Sequence, residues 1–286
     1  MRWRDARRSE NVEDRRGVRV GPATAGIGGG ALLLIIVLSL LTGENPLDLL
    51  QQAGPVPDSA QVGAGGPATP SGPPDEASEF VRAVLGDTED TWGGIFAASG
   101  RKYDEPGLVL YTGAAQSACG FSSAAVGPFY CPGDKKVYLD LSFFQDLTNR
   151  FGAPGDFAAA YVIAHEVGHH VQGLLGIEDR VARLRQRVGE ADANALSVRT
   201  ELQADCFAGV WGHHAARKDM LEQGDVEEGL RAAAAIGDDR IQRRTQGYVV
   251  PESFTHGSAA QRVEWLKRGL QSGDINQCDT FQGMLR

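Results

Sequence analysis

PGDFAAAYVIAHEVGHHVQG, residues 154–173, carries two patterns at once, and both require the same helix. Phe157, Tyr161, Val162, Ala164 and Val171 recur at helical spacing behind Asp156, a residue suited to cap a helix start. The spacing therefore predicts a buried helix across the run. Gly168 within it costs about 1 kcal/mol relative to alanine, which is understandable if another element must approach the backbone there. On that helix His165 and His169, one turn apart, face the same way, with Glu166 beside the first. Two neutral imidazoles so placed can each bind Zn²⁺ at about 2.0–2.1 Å, and the carboxylate can take a proton from metal-bound water. The plain alternative is an ordinary helix with satisfied histidines.

A catalytic zinc usually takes three protein ligands and keeps one position open. The extended pattern H-E-x-x-H-x-x-G-x-x-H would require glycine at Gln172 and histidine at Leu175, so it is absent. The candidate third ligand is Glu201, at the head of ELQADCFAGVWGHH, a second helix-like segment. Asp205 lies one turn further on the same face, where a carboxylate can receive the second N–H of a ligand imidazole. His213 and His214 are rival ligands. His170 points away from the His165–His169 stripe and reads as packing or surface. Near the C-terminus, FTHGSAAQRVEWLKRG sets His256 and Arg262 at the entry to a helix, where both could donate to a developing oxyanion. A turn histidine and an ion-paired arginine are the alternatives.

Together with RRSENVEDRRG (7–17), GPFYCPGDKKVYLD (127–140) and the closing CDTF (278–281), these segments resemble the bacterial membrane-anchored neutral zinc metallopeptidases nearly end to end. That resemblance implies a zincin-like domain with His165 and His169 as metal ligands and Glu166 as catalytic base. Glu201 and Asp205 are similar to the E-x-x-x-D element of gluzincins. THGSAAQR resembles their histidine-then-arginine segment, but Gly257 stands where heat-shock-type relatives often have proline.

Ala23 to Thr42 is an uncharged, largely apolar run of twenty residues, long enough to cross a bilayer of about 30 Å. Seven arginines precede it, and no Lys or Arg occurs from Leu47 through residue 75. Residues 1–22 are thus expected as a basic cytoplasmic segment, 23–42 as a single-pass transmembrane anchor in the cell membrane, and 43–75 as a Pro-, Gly-, Ala- and Ser-rich tether. Residues 76–286 are expected as one extracytoplasmic catalytic domain. Only four acids offset the seven arginines through Gly43, so the chain's net charge of −9 originates in the residues beyond Gly43. An acidic catalytic part argues against nucleic acid as a partner, and the basic tip suits an anionic lipid bilayer. The sequence does not set the oligomeric state.

Four cysteines in the outer part favour disulfides, Cys119 with Cys131 across a short Gly- and Ser-rich loop and then Cys206 with Cys278; buried free thiols are the alternative. Helices are expected at 76–97, 179–195 and 225–236, the last capped by Asp225, and strands at 107–111 and 136–141, with Val137 to Asp140 as a possible peptide-accepting sheet edge. The fold class is α+β: a mostly helical, zincin-like catalytic domain with a small sheet behind one transmembrane helix. The expected activity is zinc-dependent hydrolysis of a peptide or protein substrate. A non-catalytic zinc-binding membrane scaffold, or a zinc amidase acting on cell-wall peptide, are the alternatives.

Overall fold

Residues 1–17 and 75–284 are described by the computed structural model. Four short strands make its main sheet: β1 (Val12–Asp14), β2 (Gly107–Tyr111), β5 (Phe129–Cys131) and β6 (Lys136–Asp140), in the order β1-β2-β6-β5. The first three in that order run parallel and β5 is antiparallel to β6, with Phe129 opposite Tyr138. Alternation sends Leu108, Leu110, Val137 and Leu139 to the helical core, and Val109, Tyr111 and Tyr138 to a small cluster beneath β3 (Ala114–Ser117) and β4 (Gly120–Ser123). The expected sheet edge at Val137 to Asp140 is corrected for Val137 and Tyr138, which pair with β5, the edge strand on that side; Leu139 and Asp140 have no partner in β5.

Helices supply the rest, giving a mostly helical α+β architecture. They are α1 (Glu76–Ala98), α2 (Ser142–Asn149), α3 (Asp156–Leu174), α4 (Ile177–Arg185), α5 (Glu190–Arg217), α6 (Asp225–Ala235), α7 (Asp238–Gln246) and α8 (Ala259–Ser272). The motif helix α3 is buried over most of its surface and packs against α5, α6 and α1. Its apolar residues therefore face several partners, as expected of a central helix. A Cβ on Gly168 would stand 3.0 Å from the Ala204 carbonyl oxygen of α5, so the glycine does permit a close helix crossing. Both expected helix caps shift by one residue. Gly155 and Gly224 are the caps, while Asp156 and Asp225 begin their helices and bind the Met1 amine at 2.9 and 3.3 Å. The helix expected at 179–195 is two helices, broken between Gln186 and Gly189. Both disulfides are present, Cys119–Cys131 and Cys206–Cys278.

The expected cellular location is overturned. Among the described residues no helix is long and apolar enough to cross a membrane. The basic amino-terminal segment, expected across a bilayer from the catalytic part, is built into it: β1 pairs with β2, and Met1 and Trp3 are buried in the common core. One crossing would place these two pieces in different compartments, yet they belong to one compact unit. The arginines read as a lipid-facing tip instead meet acids of α1 and its cap. Arg7 binds Glu89 at 2.8 Å and Asp90 at 2.9 Å, Arg8 binds Glu79 at 2.8 Å, and Arg16 reaches Asp75 at 2.6 Å. The run 23–42 and the tether 43–75, apart from Asp75, lie outside the described residues.

Candidate metal centre

The helical stripe of α3 brings His165 and His169 to the floor of a cleft of about 560 Å³, and α5 crosses so that Glu201 stands opposite both. His165 Nε2 lies 3.1 Å from Glu201 Oε2, and His169 Nε2 lies 3.5 Å from Glu201 Oε1. Donors bound to one tetrahedral ion at about 2.0–2.1 Å sit roughly 3.3 Å from one another. The donor set fits zinc in both chemistry and spacing. His213 and His214 donate to the Leu270 and Gly273 carbonyls and take no part in the cluster. His170 is packing, held between the Tyr130 hydroxyl and the Asp104 carbonyl.

Each imidazole is oriented from behind. His165 Nδ1–H donates to Asp205 at 2.9 Å, and His169 Nδ1–H donates to Gln172 Oε1 at 2.9 Å, leaving both Nε2 atoms to face Glu201. Gln172 is itself fixed, donating to the Thr200 carbonyl at 2.7 Å and to Gln203 at 3.0 Å. Sequence reasoning used Gln172 only to exclude another motif; its spacing of three from His169 was the available signal. Tyr161, read as a core residue, lies one turn before His165 on the same stripe and donates its hydroxyl to Asp205 at 2.5 Å.

Burial opposes charge throughout this cluster, yet the pairings overcome it. Burial would raise Glu201, but His169 and His165 hold its carboxyl well below the usual range. Burial lowers His169, and Glu201 more than reverses this, to about 10. Asp205 is pushed up by burial and brought down to about 2 by Arg262 and His165. A metal binding here must displace protons from the imidazoles, so its affinity rises with pH. Glu166, in contrast, lines the cleft and makes no hydrogen bond or ion pair among the described residues.

His256 and Arg262 both line the cleft, but their hydrogen bonds differ. Arg262 is only 3% exposed and spends Nε and Nη2 on the two oxygens of Asp205, at 2.8 and 2.9 Å. His256 is held by Asp238, which accepts from the backbone N–H groups of Thr255, His256 and Gly257 at 2.7–2.9 Å, and from His256 Nδ1 at 3.2 Å. Asp238 carries no local sequence signal, because its partners lie beyond the far end of α7 and the short 3₁₀ turn after it. Its hydrogen bond raises the imidazole pKa of His256, against a smaller effect of burial. Gly257 adopts φ +97°, which proline cannot, so the departure from the heat-shock-type pattern matches the loop's backbone.

The comparisons with known proteins agree with this assembly. A family model described as "Putative neutral zinc metallopeptidase" matches residues 1–281. The uncharacterized protein YpfJ of Escherichia coli is 51% identical over 290 residues, covering 98% of this chain and 99% of that protein. The uncharacterized protein Rv2575 of Mycobacterium tuberculosis is 41% identical over 262 residues, covering 88% of this chain and 85% of that protein. No solved structure matches significantly. With the family model spanning nearly its whole length, the chain belongs to the "Putative neutral zinc metallopeptidase" family.

Proposed function

We propose that this chain is a zinc-dependent peptidase in which His165, His169 and Glu201 hold the metal and Glu166 is the general base. The reading rests on one observation: two imidazole Nε2 atoms and a carboxylate converge within a few ångströms, beside a second carboxylate left unpaired in the cleft. Zinc held there supplies a Lewis acid that polarises a carbonyl and lowers the pKa of water toward about 7. Glu166 accepts a proton from the attacking water and passes it to the leaving amine. His256, with Nδ1 tied to Asp238, directs its other nitrogen to the oxygen on which negative charge develops. Arg262 acts through Asp205, fixing the carboxylate that sets the His165 tautomer. The free edge of β5, whose Phe129 and Tyr130 line the cleft, is suited to receive an extended peptide by backbone hydrogen bonds.

Replacing Glu166 by Gln tests the reading directly. The variant should bind zinc as the parent does and lose at least about 10²-fold in hydrolysis of a mixed peptide substrate. Hydrolysis at the parental rate would remove Glu166 from the mechanism. A parent protein that is zinc-loaded yet inert towards peptides and proteins would favour the scaffold alternative.

A further inference from the structure

His165 and His169 form two rungs of a stripe whose third rung, one turn on, is Gly173. Gly173 is exposed and carries no side chain, so the stripe is bare there. What stands over it is Glu178, from the first turn of α4. A Cβ on Gly173 would lie 3.4 Å from Glu178 Oε2 and 3.7 Å from the Tyr130 hydroxyl. Four residues of helix advance about 6 Å, so this carboxylate sits roughly one turn beyond the metal-binding pair, along the cleft floor.

Glu178 lines the cleft and is half-buried, yet it makes no hydrogen bond or ion pair among the described residues. Burial accordingly raises its pKa, with only a partial offset from His169. Asp179, exposed in the same helical turn, already places a negative charge at the start of α4, so helix capping does not require Glu178 to face the cleft. The remainder of the α4 face that lines the cleft is Val181, Ala182 and Arg185, the last exposed and about 10 Å further along the helix. A partly desolvated, unpaired carboxylate beside a substrate channel is complementary to a cation arriving with the substrate.

We infer that Glu178 is a specificity-determining residue that receives a positively charged group of the peptide substrate, one helical turn from the metal site. The inference deepens the peptidase reading and rests on it. The group is an ammonium or guanidinium, supplied either by a Lys or Arg side chain or by the free α-amine of a peptide.

Binding and turnover separate the two claims. Isothermal titration calorimetry on the zinc-loaded Glu166→Gln protein would compare unlabelled hexapeptides carrying Lys, Gln or Glu at each position in turn, with free and acetylated amino termini. One position, or the free terminus, should bind on the order of tenfold more tightly when cationic than when neutral. Adding Glu178→Gln should abolish the difference, and adding Glu178→Lys should reverse it in favour of Glu. A gain that survives acetylation identifies a side chain as the source, and one that needs the free terminus identifies the α-amine. Equal binding of all peptides, or a charge preference unchanged by both Glu178 substitutions, would overturn the inference. Turnover of the same peptides by the zinc-loaded parent reports on the peptidase reading alone, because binding preferences are measured without it.

Discussion

Replacing Asp205 by Asn should be the most damaging conservative change in this protein. Asp205 is fully buried and takes four donors: His165 Nδ1–H, the Tyr161 hydroxyl, and Nε and Nη2 of Arg262. Asparagine keeps one acceptor oxygen and turns the other oxygen into a donor, which must then face a donor. It also leaves the 3%-exposed guanidinium of Arg262 without the carboxylate it pairs with. Removing one partner of a buried pair costs about 3–5 kcal/mol. The retained oxygen places the expected loss near the lower end, about 3 kcal/mol for the metal-free protein. Loss of the carboxylate behind His165 should separately weaken zinc binding by about 10–100-fold. Urea unfolding of the metal-free proteins reads the first effect, and zinc competition against a chromophoric chelator reads the second. A stability loss under about 1 kcal/mol with zinc affinity unchanged would refute the assignment of Asp205 as the hub joining Arg262 to the metal ligands.

Other perturbations test neighbouring parts of the structure. The same carboxylate gives a pH signature. Held at about 2 when folded against an ordinary value near 3.9, Asp205 contributes stability that is complete above about pH 5 and lost as pH falls through about 2. Metal-free parent protein should therefore lose about 2 kcal/mol more than the Asn variant between pH 5 and pH 2, and parallel curves would contradict this. Gln172→Leu removes the acceptor of His169 Nδ1–H, and should lower zinc affinity about tenfold in the same competition assay. Gly209→Ala would set a Cβ 2.2 Å from the Leu266 carbonyl oxygen, forcing α5 and α8 apart where Arg262 reaches Asp205. Its unfolding free energy should drop by at least about 3 kcal/mol, and a near-neutral result would mean that the crossing is looser than described.

The helix that carries the candidate metal ligands was legible because its chemistry and its geometry share one period. Spacings of four on α3 put Tyr161, His165 and His169 on one line whatever the rest of the chain does, and the same spacing links Glu201 to Asp205 on α5. The second disulfide was legible as well, since few cysteines limit the choices. The partner of Arg262 was not. A sequence shows that an arginine comes after a histidine, but only packing decides whether its guanidinium faces a substrate or a buried carboxylate from another helix. The arginines of the amino terminus were misread for the same reason: a positive run has one meaning beside a bilayer and another beside Glu79, Glu89 and Asp90.

By itself, then, the sequence determined what is periodic or local: a buried helix bearing two imidazoles and a carboxylate, a second helix bearing the acid to join them, and a mostly helical α+β class. Tertiary structure decided which strand flanks β6, that residues 1–17 complete the fold, and that Asp205 and Asp238 hold His165 and His256 from behind. The physical reason is range. Helical periodicity acts over a few residues along the chain, whereas the amino-terminal ion pairs and the carboxylates behind His165 and His256 come from residues well removed in sequence, brought together only by burial of the common core.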